Sequence, residues 1–300
     1  MLVGKIIERF VKPETFRHLK KKYLKIKYLF TKKIDENEFR NILIKRLNVK
    51  KNSVVFVHSS IDNLNLSFPF YKVLTILLEV VGEEGTIVFP CWHFNYRAEE
   101  YLNKNKIFDV KKSPTVMGIL PEIARHFKNA KRSLHPTNSV VAVGKHANEL
   151  VKDHHKSIYP DDENSPFYKI INYDGIIIGL GVSTNHLSFV HCVEDVLKDK
   201  FPIKTRTDKV YKGRVIDYTG KEQIVRTLVA CKQIKNRDIE GYIKKYVSRS
   251  ICMDFKIHGV KYFTVMSTEL FKTMENLAKN NITIYKVKKY IDIKSIFIFN

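Results

Sequence analysis

The stretch Gly175-Ile-Ile-Ile-Gly-Leu-Gly-Val-Ser-Thr-Asn-His-Leu-Ser-Phe-Val-His-Cys-Val-Glu194 decides how this chain of 300 residues is read. Three isoleucines after Gly175 make a short apolar run of the kind that lies in a sheet covered on both faces. Gly179 and Gly181 close the run, a polar loop follows, and residues 187–197 resume with helical periodicity. Strand, glycine turn and helix make the repeating unit of an α/β layer. Such layers place their sites at the carboxyl ends of the strands, where this loop falls.

The same texture recurs outward from there. Asp35 precedes Glu38 by three residues, and Phe39, Ile42, Leu43 and Leu47 follow at helical spacing, which predicts a capped amphipathic helix. Residues 53–58 and 86–89 read as two more buried strands, with a helix over 70–81 between them that ends at Gly82. Helix is predicted over 114–127 and 147–152, and strand over 139–143. Beyond residue 201, segments 210–218 and 223–230 flank Thr219-Gly220-Lys221, a hairpin signal. Residues 238–247 and 268–279 read as helices, and 262–266 and 282–287 as late strands. The expected fold is α/β, with a mostly parallel central sheet flanked by helices and a mixed or antiparallel C-terminal region. A basic helical extension over 1–33 precedes a single domain over 34–300, with its core at about 40–200 and a C-terminal subregion at 201–300.

The formal charge of +22 and a pI near 9.7 stand out, yet 44% hydrophobic residues are far too many for a disordered basic tail. The excess is uneven: +9 over residues 1–33, +1 over 34–200 and +12 over 201–300. Chemistry is therefore sought in the nearly neutral middle. The cysteines at 91, 192, 231 and 252 form no C-x-x-C pair, which argues against a disulfide scaffold or a zinc ribbon and fits a reducing cytosol. Lys5, Glu8 and Arg9 interrupt any secretory apolar core, and no uncharged run reaches the ~18 residues of a membrane span. The expectation is a cytoplasmic protein. Its first 33 residues, with Ile6, Ile7 and Phe10 among basic side chains, leave contact with the inner face of the membrane open. A nucleic-acid-binding module is the rival prompted by the pI, but no RNA- or DNA-binding motif is recognisable and nucleic acid is not expected as a partner.

His191 and Glu194 lie three apart on the predicted helix and so share a face. A carboxylate that accepts the Nδ1 proton fixes the imidazole tautomer and leaves Nε2 as a base, an arrangement suited to general-base catalysis. The bland alternative is an idle surface pair. Gly179 and Gly181 lack the third glycine of a dinucleotide fingerprint. Cys192 points about 100° away from His191 on a helix and reads as core, and Cys91 reads as a buried thiol. His154 and His155 have no third ligand at zinc spacing, so no metal is expected. Ser113-Pro-Thr-Val-Met-Gly118 opens a predicted helix with hydroxyls and N–H groups suited to phosphates or carbonyls, or simply to capping.

Taken in order, these segments resemble the aminoglycoside 3-N-acetyltransferase family. The resemblance runs through Val57-His-Ser-Ser60, residues 113–122, Lys131-Arg-Ser-Leu-His-Pro-Thr-Asn-Ser139 with Ala142 and Gly144, Asn164-Ser-Pro166, and 179–194, covering roughly residues 40–200. It implies an acyltransferase of α/β fold, using acetyl-CoA or another acyl-CoA and no metal. It further implies that His191 is the general base and Glu194 its orienting carboxylate. His58, Ser59 and Ser60, together with Ser113, Thr115, Val116, Met117 and Gly118, match the parts that hold CoA. Asn185, Ser188 and His135 are expected in substrate contact or support. The family often has Asp six residues before its histidine and Thr three before it, where this chain has Asn185 and Ser188. Asn185 can hydrogen-bond but adds no negative charge.

The expected reaction is transfer of an acyl group to a primary amine of an amino sugar. Backbone donors near Ser60 or Thr115 are expected to steady the thioester oxyanion. A protein of charge +22 repels polycations at long range, unless an acidic patch such as Asp161-Asp-Glu163 faces the site, so an anionic nucleotide-linked amino sugar of surface-glycan biosynthesis is the first expectation. Aminoglycoside acetylation, hence antibiotic resistance, is the alternative. Homo-oligomerisation is left open.

Overall fold

The computed structural model describes residues 28–232, Ile234 and 236–285, together with Thr15, Leu19, residues 22–24 and Ile26. The basic extension expected over 1–33, and the lipid contact suggested for it, therefore fall largely outside the described residues. No described helix is long and apolar enough to cross a membrane.

The first full element is a helix over Glu36–Asn41, whose N-cap Asp35 accepts a hydrogen bond from the Glu38 amide at 2.8 Å, as the sequence predicts. It leads to β1 (Val54–Ser59). A helix over Lys72–Val81 then stops at Gly82, where φ is 69°, and hands the chain to β2 (Thr86–Pro90). After β3 (Ile107–Asp109) and a helix over Ile119–Arg125, the short β4 (Lys131–Arg132) and β5 (Val140–Gly144) follow, then β6 (Ile176–Leu180). The chain continues through the β7 (Tyr211–Ile216) and β8 (Glu222–Thr227) hairpin, a helix over Ile239–Tyr246, β9 (Cys252–Ile257), β10 (Val260–Met266) and a helix over Ser267–Lys279.

Seven strands form the main sheet in the order β4-β5-β2-β1-β6-β10-β9, and β3, β7 and β8 form a second, small one. The α/β character and the antiparallel C-terminal region agree with the sequence reading. The mostly parallel sheet does not. Only β2, β1 and β6 run parallel, and β5 beside β2, β4 beside β5, β10 beside β6 and β9 beside β10 are all antiparallel. The apolar runs misled because they record burial on both faces and carry no information on direction. That burial is clear in β1, where Val54 and Phe56 join the core on one face of the sheet and Val55 and Val57 the core on the other. Each such side chain stabilises by about 1.5–3 kcal/mol when fully buried.

Two glycines shape the centre. A Cβ on Gly179 would stand 2.1 Å from the Phe263 ring, so the β10 side chain packs flat over β6 only because position 179 is bare. Gly181 turns the chain off the strand at φ 76°, with a Cβ position 2.5 Å from the Ser60 carbonyl oxygen. Segment 282–287, expected as a strand, contributes only an isolated bridge between Tyr285 and Arg237, and its last two residues lie outside the described ones. The edge strand β9 was not anticipated, since its alternating polar side chains, Asp254 and Lys256, hide a strand in a basic region.

Candidate active site

Beyond Gly181 the loop is tied down by two carboxylates from the C-terminal region. Asp254 accepts from the Thr184 amide at 3.0 Å and its hydroxyl at 2.5 Å, and Glu240 accepts from Asn185 Nδ2 at 2.7 Å. A 3₁₀ turn over Ser188–His191 then runs into an α-helix over Cys192–Leu197. His191 sits at the junction and Glu194 on the first α turn, so Nδ1 and Oε1 meet at 2.9 Å. Glu194 is buried, at 3% exposure, while 19% of the His191 side chain remains accessible.

Burial pushes the Glu194 carboxyl upward. The His191 charge and hydrogen bond, Arg206 and the Tyr285 hydroxyl together outweigh it and hold the pKa below the ordinary carboxylate range. Glu194 is thus an ionised acceptor, and Nδ1 carries the proton it receives. On the other side of the ring, Arg237 Nη1 lies 2.8 Å from Nε2. A guanidinium only donates, so Nε2 presents its lone pair. Two independent contacts fix the tautomer that a base requires.

His191, Glu194 and Ser188 line a cavity of ≈ 250 Å³, with the segments leaving β2 and β6 as two of its walls. Trp92, Tyr96, Asn138, Arg206 and Tyr285 complete much of the rest. Behind it lies a buried ionic lattice. Arg206 Nε and Nη2 donate to the Asp195 oxygens at 2.6 and 2.7 Å, and Nη2 also to Asp161 at 2.9 Å. Burial opposes the charge on Arg206, and the two carboxylates more than offset it, raising its pKa. Of the expected acidic patch, Asp161 reaches the cavity but shares Arg206 with Asp195 there, Asp162 is buried on the Ser157 hydroxyl, and Glu163 is exposed.

The other sequence-predicted residues do not gather here. Asn185 is engaged by Glu240 outside the cavity lining. His135 is fully buried and stacked on His154 with ring centroids 4.6 Å apart, although the following Thr137 and Asn138 do line the cavity. His58 lies in β1 opposite Gly179, between Phe56 and Phe263, where burial and then the His186 charge lower its pKa to about 3. Ser59 pairs with Leu180 across the sheet, and the Ser60 amide donates to the Leu180 carbonyl at 2.8 Å.

The helix expected from residue 114 begins at Ile119, because Gly118 at φ 110° is outside helical space. Residues 113–118 are a loop whose polar groups bond internally. The Ser113 hydroxyl accepts from the Asp109 amide at 3.0 Å, the Thr115 amide donates to Glu122 Oε2 at 2.9 Å, and the Met117 amide to the Thr115 hydroxyl at 3.2 Å. Through Thr115 Oγ1 and the Val116 amide, which donate to the Trp92 carbonyl at 2.6 and 2.8 Å, this loop abuts the cavity wall without lining it. Arg237 and Tyr285 were missed outright. They lie 46 and 91 residues from their partners His191 and Glu194, and no local pattern marks them. All four cysteines are free and buried, Cys192 included.

The family model described as aminoglycoside 3-N-acetyltransferase matches residues 56–279. Among curated relatives, the SPbeta prophage-derived aminoglycoside N(3')-acetyltransferase-like protein YokD of Bacillus subtilis (strain 168) is 30% identical over 168 residues, which cover 50% of this chain and 61% of that protein. The chain thus spans about three fifths of that relative's length. The fold is similar to that of aminoglycoside acetyltransferase AAC(3)-Xa, with a TM-score of 0.72 at 17% identity over 89% of this chain and 99% of that one. It is also similar to AAC-IIIb, solved as a binary complex with CoASH, with a TM-score of 0.68 at 17% identity over 84% and 99%.

Proposed function

Because the chain belongs to the aminoglycoside 3-N-acetyltransferase family, we propose that it transfers the acyl group of acetyl-CoA, or of another acyl-CoA, to a primary amine of an amino-sugar acceptor. The observation that carries this reading is the His191 imidazole, held by buried Glu194 at 2.9 Å with its Nε2 accepting from Arg237 Nη1, both contacts lying among residues that line the cavity. The amine nitrogen attacks the thioester carbonyl carbon as Nε2 takes its proton, and the carbonyl pair moves onto oxygen. That pair then returns, the carbon–sulfur bond breaks, and the thiolate leaves with its electrons and receives the proton from the imidazolium. Glu194 stays ionised throughout and stabilises the imidazolium. The Ser59-Ser60 segment and the loop at 113–118 are proposed to hold CoA, which the packing of that loop on Trp92 supports.

An aminoglycoside is the better-supported acceptor. The nucleotide-linked amino sugar expected from overall charge has no support in the comparisons, which name aminoglycoside N-acetyltransferases. That expectation rested on net charge, whereas the cavity's own lining sets Arg97, Arg206 and Arg237 beside Asp161 and Glu194, and charges beyond a screening length of about 8 Å at physiological salt contribute little to binding there. Thiol release from acetyl-CoA, measured with kanamycin, with neomycin and with a nucleotide-linked amino sugar, tests the reading. Turnover of the aminoglycosides supports it, and turnover of the nucleotide-linked sugar alone overturns the choice of acceptor.

A further inference from the structure

The donors expected for the thioester oxyanion are occupied elsewhere. The Ser60 amide bonds the Leu180 carbonyl and the Thr115 amide bonds Glu122, and neither residue lines the cavity. Three arginines do line it. Arg206 is locked between Asp195 and Asp161, and Arg97 Nη2 rests on the Ala230 carbonyl at 3.2 Å. Arg237 differs. Its guanidinium meets Nε2 of His191 and has no carboxylate partner among the described residues.

Its backbone is fixed. Arg237 bridges to Tyr285, the next amide, of Asp238, donates to the Ile284 carbonyl at 2.9 Å, and Asp238 then caps the helix over Ile239–Tyr246. The side chain is held by its contact with Nε2 of His191. An acceptor amine must itself reach Nε2, so it displaces the guanidinium from that atom. Reacting atoms start about 3–3.5 Å apart, which brings the thioester oxygen within a few ångströms of Nε2, where the displaced cation already stands. A cation that rests on a neutral imidazole, with no carboxylate on it among the described residues, exchanges that partner readily for a developing negative charge.

We propose that Arg237 is a further catalytic residue, resting on Nε2 in the free enzyme and donating to the thioester oxygen as the acceptor amine attacks. The inference rests on the acyl-transfer reading. During attack the carbonyl pair becomes the oxyanion that Arg237 Nη1 pairs with, and when the carbon–sulfur bond breaks that pair returns and the contact weakens. Arg237 gains and loses no proton. Its charge also disfavours an ammonium at Nε2, so the acceptor arrives as the free amine the attack requires.

The test compares wild type with Arg237→Ala and Arg237→Lys in steady-state thiol release from acetyl-CoA with kanamycin, alongside acetyl-CoA binding by calorimetry. Arg237→Ala is expected to lose about 10²–10³-fold in kcat, the usual cost of removing one oxyanion donor. Its acetyl-CoA Kd is expected to stay within about twofold of wild type. Added methylguanidinium is expected to restore roughly tenfold of the loss, which a merely structural role would not allow. Arg237→Lys, which keeps the charge, is expected to fall between. Retention of kcat within about threefold in Arg237→Ala overturns the inference alone, as does a loss that appears wholly in acetyl-CoA affinity. A wild-type protein that neither binds acetyl-CoA nor releases thiol overturns the acyl-transfer reading and this inference with it.

Discussion

Tyr285 places its hydroxyl 2.8 Å from Glu194 Oε1, the same oxygen that holds Nδ1 of His191. The contact joins the last described segment of the chain to the centre of the candidate site. Glu194 is buried, so this second donor helps keep the carboxylate ionised where desolvation would otherwise protonate it. Tyr285→Phe removes that donor and keeps the ring. We expect kcat to fall by roughly 10–150-fold, about the worth of one hydrogen bond to a charged group, with little change in KM for acetyl-CoA. Steady-state kinetics with acetyl-CoA as the varied substrate check this, and an unchanged kcat refutes it.

The lattice behind the cavity makes a stability prediction. Arg206→Ala leaves Asp195 and Asp161 buried without their shared counter-charge, each keeping a hydrogen bond, from the Asp161 amide and Asn138 respectively. Breaking such a network from one side costs about 3–5 kcal/mol. Urea denaturation should show the loss. A change below about 1 kcal/mol would mean that water replaces the guanidinium at no penalty.

Gly179→Ala drives a methyl into the Phe263 ring. Overpacking of this kind costs about 1–3 kcal/mol, and a smaller partner should relieve it. Gly179→Ala combined with Phe263→Leu is expected to recover part of the loss of Gly179→Ala in a thermal melt. Strict additivity of the two substitutions would contradict the packing described.

Acid lability follows from the buried histidines. Burial lowers His58 and His154 to about 3, against about 6.5 in an unfolded chain. Between those values the unfolded state binds protons that the folded state refuses. Stability is therefore fully present above about pH 6.5 and falls as the pH drops toward 3, by at most about 1.4 kcal/mol per pH unit for each histidine. Denaturant midpoints measured from pH 7 to pH 4.5 should decline steadily, and a flat profile would exclude neutral burial of both rings.

Much of this molecule is legible in its sequence, for reasons that differ by element. The helix after Asp35, the strands around Phe56 and Ile177 and the His191–Glu194 pair are local patterns, and each appears where its periodicity puts it. Strand direction is a property of connections rather than of apolar runs, so β5 reads as a buried strand but not as an antiparallel one, whereas β10 falls in the C-terminal region expected to be mixed or antiparallel. The Ser113-Pro-Thr signal announced a helix that Gly118 postpones to Ile119, because one positive φ breaks the run. Arg237 and Tyr285 reach the site only through tertiary folding, and arginine and tyrosine in a basic, aromatic-rich tail carry no distinguishing mark. Charge was the least informative feature. The whole-chain excess said nothing of a cavity where one arginine, Arg206, is shared between Asp161 and Asp195.

The central claim is that His191 serves as general base in transfer from acyl-CoA to an amine. The most direct measurement is single-turnover thiol release from acetyl-CoA with kanamycin in His191→Ala, paired with acetyl-CoA binding to the same variant by calorimetry. We expect the rate to fall by about 10²–10⁴-fold with acetyl-CoA affinity preserved. A variant that binds acetyl-CoA and releases thiol at near the wild-type rate would contradict the claim.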